Sequence, residues 1–273
     1  MNGSLLKVTN LSVAFMEAGN SREAVRGVSF EVRPGSVLGI IGESGAGKSS
    51  LALALMGLHD PRRVEVKGEI FFQGQNLLEL PEEERCRVRG AGIGMIFQDT
   101  TGALDPAMRV EDQVAEVIRH HEGVGRAEAR RLARLHLAEV GITEDILTVA
   151  PYAHQLSGGL CQRAMIAAAL ACRPALLIAD EPTSSLDVTL QSQIIALLNE
   201  RRLVTGLAII FISHDLALVS SFADEIMVLH EGESVEQGKS AELLTNPKHA
   251  YTADLIAVWK YPNLQGGVAV APS

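Results

Sequence analysis

Gly42-Glu43-Ser44-Gly45-Ala46-Gly47-Lys48-Ser49, set directly behind the apolar run Val37-Leu38-Gly39-Ile40-Ile41, constrains this chain more than any other feature. The segment fits G-x-x-x-x-G-K-[ST], a pattern in which each part has a physical reason. Glycines let consecutive backbone N–H groups turn inward and form a concave anion site, which a Cβ would obstruct. Lys48 is placed to reach β- and γ-phosphates, and the Ser49 hydroxyl to sit on Mg²⁺. Ser50-Leu51-Ala52-Leu53-Ala54-Leu55-Met56 then reads as a helix whose N-terminal dipole points at the phosphates. An ordinary Gly-rich turn is the alternative, but here strand, complete motif and helix occur together. Residues Gly42 to Ser50 therefore predict a nucleoside-triphosphate site.

Composition bounds the rest. With 273 residues and 47% hydrophobic content, the chain can bury one large core or two modest ones. A formal charge of −9 argues against a nucleic-acid partner, which would normally meet a basic surface. No stretch reaches the roughly 18 apolar residues that cross a bilayer; Ala164–Ala179 comes nearest and is broken by Arg173-Pro174. Met1-Asn2-Gly3-Ser4 has no basic segment followed by an apolar one, so no secretory signal is expected. Cys86, Cys161 and Cys172 have neither metal-like spacing nor an even number, which points to a reducing cytoplasm.

Along the chain, β and α signals alternate. Leu5–Phe15 and Ala24–Val32 read as strands separated by a polar loop from Glu17 to Glu23. Val37–Ile41, Gly68–Gln73 and Gly94–Phe97 read as further strands, with a charged, solvated helix over Pro81–Arg89. From about Val110 to Gly141 the spacing becomes helical, with Val114, Val117, Ile118, Leu132, Leu135 and Val140 as its apolar positions. Buried strands return at Ala175–Ala179 and Leu207–Ile212, flanking a helix over Thr189–Val204. Ala223–His230 and Glu233–Glu236 form a hairpin around Glu231-Gly232, and Leu264–Ser273 is expected to be loosely packed. His120-His121 and His136 read as surface helix residues. The fold class is thus α/β, with a helical block inserted into a nucleotide-binding core.

The borders of that block carry further motifs. Gln98 ends the strand leading in, and Leu156-Ser157-Gly158-Gly159 opens the helix leading out. Ala175-Leu176-Leu177-Ile178-Ala179-Asp180-Glu181 is an apolar strand ending in two acids, followed by Ser184-Ser185-Leu186-Asp187; Phe211-Ile212-Ser213-His214 ends in a histidine. In this order, from about Leu5 to Gly238, the motifs resemble the ATP-binding subunits of ABC transporters. The resemblance implies a P-loop NTPase (RecA-like) core with an antiparallel β subdomain and an inserted helical subdomain. Its expected borders are 1–97 and 173–245 for the core, 98–172 for the helical subdomain and 246–273 for a C-terminal tail.

The resemblance also implies roles. Asp180 would hold Mg²⁺ through water, with Ser49 and Gln98 completing the shell. Glu181 would be the general base for the attacking water, and His214 would touch the γ-phosphate, because this transition state needs positioning and charge neutralisation more than covalent help. Phe15 would stack on adenine. Ser157, Gly158 and Gly159 would face the ATP of the opposite subunit, and Asp187 would cross the interface and couple the two sites. Leu160 stands where the family commonly has glutamine, and Cys161 where a basic residue is frequent.

A narrower likeness to the peptide/nickel importer branch rests on several segments. These are Ala24–Phe30, Gly39–Gly45, Met95–Asp99, Ile178–Thr183, Leu186–Thr189 and His249-Ala250-Tyr251-Thr252. It implies the ATP-hydrolysing subunit of an importer for dipeptides, oligopeptides, nickel or a metal chelate, with two transmembrane permease subunits, a second, non-identical ABC ATPase, an extracytoplasmic substrate-binding protein, and a place on the cytoplasmic face of the membrane. Thr100–Pro106 would receive the permease. With no cysteine beyond Cys172, no iron–sulfur centre is expected. Alternatives are a soluble ABC ATPase acting on ribosomes or DNA, disfavoured without a duplicated domain or coiled-coil insertion, and a P-loop kinase, in which Ser157-Gly158-Gly159 and the His214 strand would have no task.

Overall fold

The chain opens with a long antiparallel ribbon, β1 (Leu6–Glu17) against β2 (Asn20–Val32). β3 (Val37–Ile41) leads to α1 (Lys48–Leu55), followed by β4 (Val64–Phe72), β5 (Gln75–Asn76), α2 (Glu82–Ala91) and β6 (Ile93–Ile96). The helical block comprises α3 (Thr100–Ala103), α4 (Val110–Glu122), α5 (Arg126–Glu139), α6 (Glu144–Val149), a 3-10 turn at Ala153–Gln155, and α7 (Gly158–Leu170). Alternation resumes with β7 (Leu176–Asp180), α8 (Val188–Thr205), β8 (Ala208–Ile212) and α9 (Leu216–Phe222). The hairpin β9 (Glu225–His230) and β10 (Glu233–Lys239), α10 (Ser240–Thr245) and α11 (Ala250–Lys260) complete it. The computed structural model describes residues 3–17, 20–98, 100–183 and 186–260. Ser184, Ser185 and the expected loose stretch Leu264–Ser273 lie outside the described residues.

Two sheets result: an antiparallel one ordered β2-β1-β4-β5, and a larger one ordered β10-β9-β3-β8-β7-β6. In the larger sheet β9, β3, β8, β7 and β6 run parallel and β10 closes one edge antiparallel. Because both faces of the sheet are covered over β3, β8, β7 and β6, these parallel strands are buried at every position and nearly all apolar rather than alternating with polar residues. Val37, Ile41, Leu177, Ala179, Ile209 and Phe211 enter the core shared with the helical block. Their neighbours Leu38, Ile40, Leu176, Ile178, Ile210 and Ile212 enter the core shared with α1 and the antiparallel sheet. The parallel strands therefore end side by side between two packed layers, and the sequence motifs lie at those ends.

Several expectations are corrected. The polar loop from Glu17 to Glu23 is largely strand, since β2 begins at Asn20 and pairs Phe15 with Arg22 and Met16 with Ser21. An antiparallel ribbon with one wet face tolerates such polar residues. β4 begins at Val64 rather than Gly68 because Gly68, at φ +113°, fits tightly against the Asn10 carbonyl where the β1–β4 register shifts, leaving the strand bent but unbroken. On α5 the buried stripe is Ala129, Ala133 and Leu137, and Leu135 is 50% exposed. The segment beyond Thr245 includes α11, which packs Ile256 into the main core.

The helical block is fastened to the sheet by close backbone approach. A Cβ on Gly94 of β6 would enter the Ala169 carbonyl of α7. We predict that Gly94→Ala lowers unfolding free energy by about 2 kcal/mol, the usual scale of overpacking. Gly238→Ala, whose Cβ meets nothing within 4 Å, should change it by less than about 0.5 kcal/mol. Equal urea midpoints for both variants would show that α7 withdraws from β6 at no cost.

Candidate functional site

β3 ends at Ile41, and the loop Gly42–Gly47 carries the chain into α1. Gly47 has φ +102°, in the left-handed region that side chains avoid, and a Cβ there would enter the Ala24 carbonyl of β2. A Cβ on Gly42 would enter the Leu229 carbonyl of β9. These two glycines thus serve the packing of the loop between both sheets, a reason for glycine additional to room for an anion. Lys48 folds over the loop, its Nζ donating to the carbonyls of Gly42 at 2.9 Å and Glu43 at 2.8 Å. Burial pulls its pKa below the ordinary lysine value, while Glu181 and Asp180 pull it back up.

Those two acids close the neighbouring strand. Asp180 is the last residue of β7 and is buried at 4% exposure, with Oδ1 lacking a hydrogen-bond partner among the described residues. Burial pushes its carboxyl above the usual range, against the pull of the nearby Ser49 hydroxyl and Lys48 charge. A buried carboxylate oxygen without a donor, beside a hydroxyl, suits a hard cation arriving with its own waters and phosphate oxygens. Among the described residues no cluster of three or more His, Cys, Asp or Glu could hold a metal on protein ligands alone. Ser49 and Asp180 therefore fit Mg²⁺ as part of a nucleotide complex.

Glu181 leaves the strand at φ +47°, a conformation costly for a residue with a Cβ, while its N–H still bonds the Ile212 carbonyl of β8 at 2.9 Å. Its carboxylate accepts from Gln98 Nε2 at 3.1 Å and lies 3.3 Å from His214 Nδ1. The structure thus brings Gln98, Glu181 and His214 together from the ends of β6, β7 and β8. A cleft of about 410 Å³ opens beside them, lined by Ser44, Gly45, Gly47–Ser50, Gln98, Glu181, Phe15, Arg22 and Ala24. Phe15 meets His59 edge-on at 5.8 Å. Arg22 and Ala24 are cleft residues that the sequence did not mark; the strand pairing of Arg22 with Phe15 is the signal that finds Arg22.

Ser157, Gly158, Gly159 and Asp187 do not line this cleft. Ser157 Oγ caps α7 by accepting from the Leu160 N–H at 3.4 Å, and Asp187 Oδ1 caps α8 by accepting from the Leu190 N–H at 3.0 Å. Gly159 lies against Leu190 and Leu186, so the two caps adjoin. Leu160 packs against the core and the buried Cys161 thiol donates to the Ala153 carbonyl at 3.3 Å. The unusual residues thus turn inward and leave Ser157 and Gly158 exposed.

The chain is similar to known proteins in sequence and in fold. The family described as ABC transporter matches residues 25–184. The dipeptide transport ATP-binding protein DppD of Lactococcus lactis subsp. cremoris is 44% identical over 253 residues, covering 92% of this chain and 72% of that protein. The peptidoglycan transport ATP-binding protein YejF of Agrobacterium fabrum is 45% identical over 254 residues, covering 93% of this chain and 46% of YejF, so the chain spans about half of that relative. Among solved structures, the dimeric, ADP- and phosphate-bound ATP-binding cassette MJ0796 superposes with a TM-score of 0.78 at 26% identity, over 86% of this chain and 98% of that one.

The electrostatics of Asp180 carry a test. A carboxyl whose pKa is raised by folding penalises the ligand-free fold above that pKa, and the penalty fades as pH falls through it. Asp180→Asn should therefore raise the neutral-pH thermal midpoint of the ligand-free protein by about 2–4 °C, with the gap narrowing in acid, while abolishing Mg²⁺-dependent ATP hydrolysis. A lower midpoint with hydrolysis intact would assign Asp180 a purely structural role.

Proposed function

Because the chain belongs to the ABC transporter family, we propose that it is the ATP-hydrolysing subunit of an importer for peptide-type cargo. The observation that carries ATP hydrolysis is Glu181, held between Gln98 and His214 beside the phosphate-loop cleft, and the relatives named for dipeptide and peptidoglycan transport support the cargo. The ATP triphosphate would lie on the Gly42–Ser49 loop with Lys48 turned onto its β- and γ-phosphates, and adenine against Phe15. Ser49, Gln98 and Asp180 would hold Mg²⁺, which supplies charge neutralisation on the phosphate oxygens. Glu181 takes a proton from water as its oxygen attacks the γ-phosphorus, and the bond to the β,γ-bridging oxygen breaks to give ADP and phosphate. His214 would hold the γ-phosphate and the water in line.

The exposed caps at Ser157-Gly158 and Asp187 support a site completed by a second ABC ATPase subunit, and the dimeric cassette structure agrees with that arrangement. For this we take residues 98–172 as the helical subdomain and residues 1–97 with 173–245 as the core. A cleft of about 470 Å³ on the helical block begins at Ala107, next to Thr100–Pro106, and is lined by Arg109, Asp112, Glu116, Arg119, Arg130 and Tyr152. It supports docking of one permease subunit of the two, with the second ABC ATPase serving the other, and an extracytoplasmic binding protein would supply them with cargo. No described helix is long and apolar enough to cross a membrane, and permease docking would hold the chain at the cytoplasmic face. Relatives named for transport favour this reading over a ribosome- or DNA-directed ATPase.

Glu181→Gln tests it. ATP affinity should stay within about threefold of the unsubstituted chain, while turnover in the assembled transporter falls at least about 100-fold. Turnover near the unsubstituted rate would move the general base to another residue.

A further inference from the structure

Helix α11 brings a tyrosine onto the phosphate loop. The Glu43 N–H donates to Tyr251 Oη at 3.3 Å. The Tyr251 ring stacks on His230, at the end of β9, with centroids 3.8 Å apart and planes inclined at 27°. The approach to the helix is fixed as well: the N–H groups of Lys248 and His249 donate to Glu236 Oε1 and Oε2 of β10 at 2.8 and 3.0 Å. The Tyr251 N–H in turn donates to His249 Nδ1 at 3.3 Å. The β9–β10 hairpin thus determines where the phenol points. Burial pushes the phenol above its ordinary pKa, so it remains an uncharged hydroxyl.

The loop side gives this contact its meaning. The N–H held by Tyr251 and the Gly42 carbonyl held by Lys48 Nζ belong to one peptide unit, which is planar. Fixing one edge of that plane fixes the other. The Glu43 carbonyl, the second acceptor of Lys48, follows in the next unit. We propose that Tyr251 is a positioning residue for nucleotide binding: it locks the Gly42–Glu43 peptide plane, and with it the acceptors that aim Lys48. Preorganisation of this kind lowers the ordering cost of binding and leaves the chemical step alone. Glu181, Gln98 and His214 form their own contacts away from Tyr251. The inference rests on the reading that this cleft binds ATP.

The test uses the full-length chain, with ATP affinity measured by competition against a fluorescent ATP analogue, and KM and kcat measured in the assembled transporter. Tyr251→Phe keeps the stack and removes the hydroxyl. It should raise Kd and KM about three- to fivefold, the effect of one hydrogen bond to a site that water can reach, with kcat within about twofold. His230→Ala should shift Kd in the same direction and His230→Phe should recover it, because the ring and not the imidazole is required. An unaltered Kd in Tyr251→Phe overturns the proposal. So does a fall in kcat in step with affinity and melting temperature, which marks a general folding defect. Failure of the unsubstituted chain to bind ATP would overturn instead the reading of the cleft on which the proposal rests.

Discussion

A buried ammonium beside two carboxylates is the interaction on which the rest of this structure depends. Lys48, Asp180 and Glu181 gather where α1 begins and β7 ends; there Asp180 lacks a donor on one oxygen and Lys48 settles for backbone carbonyls. Such a cluster is unfavourable in an ordinary core, because buried charge must be paired or hydrogen-bonded. It is tolerated here because the strands that carry it are packed on both faces. The apolar sheet supplies stability, and its rim holds the under-satisfied groups that a triphosphate and its cation would complete.

Much of this was legible in the sequence because it is local. The phosphate loop, the strand ending in Asp180-Glu181 and the strand ending in His214 each announce themselves within a few residues, and parallel packing brings their ends together. What escaped is non-local or masked by composition. Arg22 looked like loop because its neighbours are polar, yet cross-strand pairing places it opposite Phe15. Gly68 looked like the start of a strand because glycine breaks the apolar pattern; in the fold it marks a bend within β4. Leu135 fits helical spacing, but the narrower Ala129–Ala133–Leu137 stripe decides which face of α5 is buried. The contact of Tyr251 with Glu43 spans 208 positions and no local pattern reveals it.

The division of the site between two surfaces follows from the same layout. The motifs at the ends of the parallel strands converge on one cleft, whereas the caps of α7 and α8 lie together elsewhere and remain open. An exposed helix N-terminus is well suited to an anion, and under the proposed function the nucleotide of a facing subunit would meet the one at Ser157-Gly158. On that proposal hydrolysis would require assembly, which would tie ATP use to the state of the transporter.

The most direct measurement of this division is the ATP affinity of the isolated chain carrying Ser157→Arg, set beside turnover of the transporter assembled with it. If Ser157 serves the neighbour's nucleotide, affinity in the isolated chain should be unchanged and at least about half of the assembled turnover should be lost. Weakened ATP binding by the isolated chain, or full turnover after assembly, would contradict that role.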